Sequence, residues 1–186
     1  MSVLDALHRR NSHARLNTPA PDAEQLQGIL TAGLRAPDHG RLRPWHFTII
    51  AGEAREQLGM TFEQALLLSK PTATDAERQK ARLAPLRAPL IIAGMLKAQE
   101  NPKVPRVEQA VAVGCALHSM QLAADALGFA GIWRTGTYAR DPLVISALEG
   151  SPGDEIIGFL YLGTAEGEKK PLCPVDLENC VSYLAS

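Results

Sequence analysis

Three short stretches of this chain concentrate the residue types that bind flat, charged ligands. The first is Arg35-Ala-Pro-Asp-His-Gly-Arg-Leu-Arg-Pro-Trp45, with three arginines, a histidine and an aspartate around two prolines and a closing tryptophan. Guanidinium forks recognise phosphate through paired hydrogen bonds, and prolines hold a loop's backbone still while they do so. A rigid backbone, dense cations and an aromatic lid suit an anionic, aromatic ligand. A solvated surface turn is the plain alternative. His39 next to Asp38 also resembles part of a catalytic base, but adjacent residues seldom face each other. A carboxylate that orients a base normally comes from elsewhere in the fold.

The second stretch is His8-Arg9-Arg10-Asn11-Ser12-His13-Ala14-Arg15. Two adjacent arginines with an amide and a hydroxyl can hold a phosphate through charge-assisted bonds. The alternative is a solvated helix C-terminus, where cations favour the macrodipole. The third is Gly128-Phe-Ala-Gly-Ile-Trp-Arg-Thr-Gly136. Its glycines let backbone approach a ligand closely, Trp133 offers a face or an edge, and Arg134 and Thr135 can reach polar groups. Here the alternative is a buried strand with a core tryptophan.

Other chemistry is weakly signalled. Cys115 and His118 share a helix face and make a conceivable nucleophile–base pair, but no orienting carboxylate is evident. There is no Gly-x-Ser-x-Gly, no Walker sequence and no convincing metal-ligand spacing. Cation-rich binding without a protein acid, nucleophile or metal is expected where a cofactor carries the chemistry.

The elements that must position these stretches can be read from periodicity and caps. A short helix spans Ser2 to Arg9, with Ser2 as cap and Val3, Leu4 and Leu7 on one side. A second helix starts at Asp22, which caps it with Gln25 at the capping-box position, and Leu26, Ile29, Leu30 and Leu34 follow at helical spacing. His46–Ala51 reads as a strand closed by Gly52. Ala54 to about Leu68 is helical, with Leu58, Phe62, Ala65 and Leu66 inward, and Ala76 to Leu83 is a further helix after a break. Leu90–Lys97 is a continuous apolar run typical of a central strand.

Val107–Leu127 is the longest helix candidate. Val111, Cys115, His118, Leu122 and Ala126 form one stripe, and alanines elsewhere leave little polar face. Such a helix is packed on most sides, in the core or at a subunit interface. Gly128 ends it. The Phe129–Gly136 strand, an Asp141-Pro142 helix start and a Glu155–Leu162 strand follow. Beyond Thr164 the chain reads as loop. No Gly-x-Gly-x-x-Gly follows an early strand, so a Rossmann unit is not expected. The expected fold class is α+β: a sheet of three or four strands covered by helices.

Composition bounds the partners. With 186 residues the default is one domain, 1–186. A formal net charge of -1 gives no global field for nucleic acid or anionic membrane, so any anion site must come from clustered arginines. No apolar run is long enough to cross a bilayer and the N-terminus lacks a secretory pattern, so a cytoplasmic protein is expected. Cys115, Cys173 and Cys180 read as reduced thiols, with Cys115 a small buried apolar residue.

Taken together, the stretches resemble the nitroreductase family of FMN-dependent oxidoreductases. Arg9-Arg10-Asn11-Ser12 is similar to that family's N-terminal Arg-Arg-Ser motif, Arg43-Pro44-Trp45 to its Gln-Pro-Trp, and Gly158-Phe-Leu-Tyr-Leu-Gly163 to its late Gly-Tyr-Leu-x-x-Gly strand. Five collinear runs match the short NAD(P)H nitroreductase subgroup: Arg35–His39, Arg87–Ile92, Lys103–Arg106, Gly131–Arg134 and Gly158–Thr164. Asn11 is an extra residue before Ser12, and Arg43 replaces the usual glutamine.

The resemblance implies a mixed, mainly antiparallel sheet flanked by helices in an intertwined homodimer, with FMN at the subunit interface. It implies that Arg9, Arg10, Asn11 and Ser12 hold the phosphate and ribityl chain. Trp133, Arg134 and Thr135 would lie along the same flavin, and Arg35 and His39 would reach it from the other subunit. The implied reaction moves a hydride from NADH or NADPH through FMN to an electron-poor small molecule such as a nitroaromatic or quinone, with no catalytic side chain. A flavin-binding or flavin-modifying protein of the same fold is the alternative, and a hydrolase or transferase using Cys115, His118 or His39 is a second.

Overall fold

The structure, a computed structural model, describes residues 2–167 and 171–184. In chain order the elements are α1 (Val3–Arg9), β1 (Leu16–Asn17), α2 (Ala23–Gly33), β2 (Trp45–Ala51), α3 (Ala54–Ser69), α4 (Asp75–Leu83), β3 (Leu90–Leu96), α5 (Arg106–Ala126), β4 (Ala130–Arg134), α6 (Pro142–Ala147) and β5 (Glu155–Ala165). The sheet has five strands in the order β1-β5-β3-β2, with β4 also paired to β5, and every pairing is antiparallel. The expected α+β class therefore holds. The extra strand is β1, whose two residues are too few to show a period of two.

β3 is buried at every position, as its unbroken apolar run requires. Its alternate side chains enter two cores. Ile91, Ala93 and Met95 pack with Leu58, Phe62 and Ala65 of α3 and Val144 of α6. Leu90 and Ile92 pack with Ile29 of α2 and Leu117, Met120 and Ala124 of α5. Two glycines allow α5 to lie this close. A Cβ on Gly94 would stand 2.9 Å from Leu117 Cδ1, and one on Gly33 would stand 2.3 Å from Met120 Cε.

The caps explain where helices start. Ser2 and Asp5 form a reciprocal capping box at α1, as do Asp22 and Gln25 at α2. Thr74 and Glu77 form a third, which sets α4 one residue earlier than its apolar pattern indicates. Asp141 caps α6 by accepting from the N–H groups of Leu143 and Val144.

One expectation is corrected, that of a buried Cys115, and the inward faces of three helices become clear. The stripe Val111–Cys115–His118–Leu122–Ala126 lies away from the core face of α5. Val111 is 58% exposed, Cys115, His118 and Leu122 are half-buried, and Ala126 is exposed, whereas Ala112, Val113, Ala116, Leu117, Met120 and Ala124 are buried. Cys115 is thus half-buried rather than a core residue. On α1, Val3 and Leu4 are exposed and Ala6 is the buried residue, and on α2 Leu34 is exposed. All three elements carry apolar side chains that nothing among the described residues covers.

After β5 the described tail has neither helix nor strand; the part of that loop expectation at 168–170 lies outside the described residues. Among the described residues no helix is long and apolar enough to cross a membrane.

Candidate flavin-type site

The segment after α1 is stitched to the start of β4. The backbone N–H of His13 donates to the carbonyl of Gly131 at 3.1 Å. Gln121, buried on α5, donates through Nε2 toward Asn11 O at 3.5 Å and Gly131 O at 3.4 Å. Sequence reasoning missed Gln121. Its signal was a polar residue on a long, largely apolar helix, where a buried amide must find partners.

The two arginines of this segment have different duties. Arg9 donates to Asp125 Oδ2 through Nε at 3.0 Å and Nη2 at 2.9 Å, which ties α1 to the end of α5. Arg10 is half-buried, reaches Ser12 Oγ at 3.4 Å, and has no carboxylate partner among the described residues. Ser12 N–H donates to Asn11 Oδ1 at 2.8 Å, so Asn11 shapes the turn that presents Ser12. The Arg10 guanidinium and the Ser12 hydroxyl thus sit with the Asn11 turn beside the start of β4.

Among the described residues β4 pairs with β5 alone; on its other edge His13 and Gln121 donate to the Gly131 carbonyl, and the edge beyond it offers backbone donors and acceptors. Trp133 is packed rather than displayed. Its Nε1 donates to the carbonyl of Ile157 at 3.3 Å, at the residue β5 bulges out between its Gly158 and Ile156 pairings with β3. The indole fills the space beside Gly158, where a Cβ would lie 1.8 Å from Nε1, and its far edge meets Gly114 of α5.

Arg134 follows Trp133 on the strand and therefore faces the other side of the sheet. There it lines a cleft with Arg87, Phe62, Tyr138, Phe159 and Tyr161. Its Nε is buried with no hydrogen-bond partner among the described residues. Burial, then the charge of Arg87, push its guanidinium below the ordinary arginine range, with Tyr161 acting oppositely. Trp133 and Arg134 are thus not side chains along one ligand face. Thr135 is exposed at the end of the strand and borders the same cleft.

The Arg35–Trp45 loop is rigid for reasons beyond its prolines. Gly40, Arg41 and Arg43 have φ of 71, 53 and 50 degrees, so two arginines hold a left-handed conformation that costs about 1–2 kcal/mol each. Asp38 supports it by accepting from Arg43 N–H through Oδ2 at 2.7 Å, and Gln99 Nε2 donates to Leu42 O at 2.6 Å. His39 Nδ1 lies 2.6 Å from Glu108 Oε2 at the first turn of α5. The orienting carboxylate comes from another element, and Asp38 serves the backbone. Arg35 is exposed, with no side-chain partner among the described residues. Trp45 is a β2 residue stacked on Phe47 at 6.4 Å between centroids, and not a lid.

The predicted residues therefore fall into two clusters. Arg9 to Ser12 and Gly131 lie by the C-terminal half of α5, Trp133 reaches Gly114 nearer its middle, and His39 lies at its first turn. Between Glu108 and Asp125 the helix rises about 25 Å at about 1.5 Å per residue. Within one chain Arg9 and His39 therefore stand at opposite ends of α5.

The family model described as Nitroreductase family matches residues 7–164. The Escherichia coli (strain K12) protein named "Putative NAD(P)H nitroreductase YdjA" is 49% identical over 166 residues, covering 89% of this chain and 90% of its own length. Among solved structures, a nitroreductase-like family protein from Bacillus cereus superposes with a TM-score of 0.84 at 21% identity, covering 99% of this chain and 96% of that one. A nitroreductase with bound FMN from Bacteroides fragilis NCTC 9343 gives 0.78 at 21% identity, covering 100% of both chains. At these identities the two structures establish the fold.

Proposed function

The chain belongs to the nitroreductase family, and on that premise we propose that it is a single-domain FMN-dependent oxidoreductase whose site is completed by a second copy of itself. The observation that carries the reading is the separation of the two clusters at opposite ends of α5. An antiparallel pairing of two α5 helices brings the Arg10–Ser12 cluster of one chain to the His39 loop of the other. The uncovered apolar residues Val107 and Val111 of α5 and Val3, Leu4 and Leu7 of α1 supply the contact surface.

The chain's own groups fit an FMN-like ligand. Arg10 and the Ser12 hydroxyl bind the phosphate, and Asn11 and His13 hold their segment beside β4. Arg9, committed to Asp125, contributes charge and anchors α1. The free edge of β4, through Trp133 to Thr135, lies along the flavin with backbone groups as donors, and the Trp133 indole backs that edge. Arg35 and His39 approach from the second chain, with Glu108 fixing the imidazole. Bound FMN supplies the redox chemistry, hydride uptake from NADH or NADPH and delivery to an electron-poor acceptor such as a nitroaromatic or quinone. The residues position the partners and exclude water, with no side chain required as an acid or nucleophile. The protein acts in the cytoplasm, where its thiols stay reduced.

The test is anaerobic titration of the purified, FMN-reconstituted protein with NADH and with NADPH. Loss of the oxidised flavin absorbance, and its return on adding a quinone, is the expected result. Yellow protein that neither nucleotide bleaches supports instead a flavin-storing or flavin-modifying role, and failure to take up FMN defeats both.

A further inference from the structure

We propose that the cleft between Arg87 and Arg134, on the sheet face away from α5, is a binding site for a small aromatic carboxylate. Four observations converge there. The cleft has a volume of about 290 Å³, enough for a single-ring ligand. Two guanidinium groups line it, and no acidic residue does among the described residues. Arg134 Nε is buried without a partner among the described residues, and Arg87 uses only Nε internally, donating to Ala84 O at 2.9 Å. The remaining walls are Ala84, Thr135, Gly136 and the rings of Phe62, Tyr138, Phe159 and Tyr161, of which Phe62 and Tyr138 stack on each other at 4.1 Å.

The polar side-chain inventory is one of donors. Neither tyrosine hydroxyl has a hydrogen-bond partner among the described residues, and burial raises the pKa of both phenols, which keeps them protonated donors. Two like charges line this space with no carboxylate among its described lining residues, and Glu77 stands in the adjoining hollow beside Arg87 and Tyr138. That arrangement is costly alone and favourable around an anion. A planar carboxylate matches the guanidinium fork with two parallel bonds, and an attached ring meets aromatic walls at their faces and edges. A bare inorganic anion satisfies the donors but leaves those walls unused.

The site is distinct from the two-chain flavin site, since Arg134 and Trp133 leave β4 on opposite faces. Thr135 and Gly136 nevertheless border the cleft, so its occupant touches the end of the segment assigned to the flavin.

The test is calorimetric titration of the FMN-saturated protein, in low-chloride buffer, with benzoate, benzamide and formate. Benzoate is expected to bind at least about tenfold more tightly than its neutral isostere benzamide or the ringless formate, a difference of about 1.4 kcal/mol. Arg87→Gln, checked for folding by circular dichroism, is expected to remove the preference for benzoate over benzamide. Equal binding of benzoate and benzamide overturns the ionic part of the proposal, and equal binding of benzoate and formate overturns the aromatic part. Benzoate binding to FMN-free protein that disappears on FMN saturation overturns the separate site and assigns both arginines to the flavin. Protein that takes up no FMN contradicts the oxidoreductase reading, and the same titration then still decides the cleft.

Discussion

His39 Nδ1 meets Glu108 Oε2 at 2.6 Å, which fastens a strained arginine-rich loop to the first turn of the longest helix. The contact leaves Nε2 as the ring's outward nitrogen and fixes where the loop stands relative to α5. With Glu108→Ala the loop keeps its Asp38 and Gln99 bonds but loses this tether. FMN affinity is expected to fall about three- to tenfold, the cost of one charged hydrogen bond at an exposed site, with little change in unfolding temperature. Fluorescence titration of FMN checks the first and a melting curve the second.

The two N-terminal arginines separate in the same assay. Arg10→Ala is expected to weaken FMN binding by about ten- to a hundredfold, as loss of a charge-assisted phosphate contact does. Arg9→Ala is expected to cost less affinity, because that guanidinium is committed to Asp125. Equal losses, or a larger one for Arg9, contradict this division of roles.

Gly158 has no room for a methyl group beside the Trp133 indole. Gly158→Ala is expected to destabilise the protein by about 1–3 kcal/mol through overpacking, read in urea unfolding. Trp133→Phe in the same background is expected to recover part of the loss by shortening the ring system.

Glu77 gives a pH signature remote from the site. The hydrogen bond from Lys70, then the backbone N–H of Thr74, lower its pKa from 4.5 to about 2. A depressed carboxylate contributes stability that is present above its unfolded pKa and lost as pH falls through its folded value. Wild-type stability is therefore expected to decline between about pH 5 and pH 2 in part through this residue. Glu77→Gln is expected to flatten that part of the profile. An unchanged acid limb in the variant counts against the Thr74–Glu77–Lys70 arrangement.

Much of this fold is legible in residue types. Asp22 and Gln25 announce α2, Asp141-Pro142 announces α6, and the Leu90–Leu96 run announces a strand buried on both faces. What sequence reading missed depends on partners distant in the chain. β1 exists because Leu16 and Asn17 pair with Ala165 and Thr164, and two residues carry no periodicity of their own. The inward face of α5 is not set by its pattern, because alanines populate several faces of it and only packing against Leu90, Ile92 and Leu160 selects one. In the site, the cation-rich stretches and the glycine-flanked strand were visible. The choices between Arg9 and Arg10, and between the two faces of β4, rest on Asp125 and on strand alternation. Glu108 as the partner of His39 had no sequence signal at all.

The central claim is that one flavin site draws Arg10 from one chain and His39 from another, and subunit complementation tests it most directly. Arg10→Ala and His39→Ala proteins, each weak in NAD(P)H-dependent quinone reduction, are unfolded, mixed in equal amounts and refolded with FMN. Random pairing makes half the dimers mixed, each with one intact site of two, so about a quarter of wild-type activity is expected to return. A mixture no more active than the average of its two components contradicts a site shared between chains.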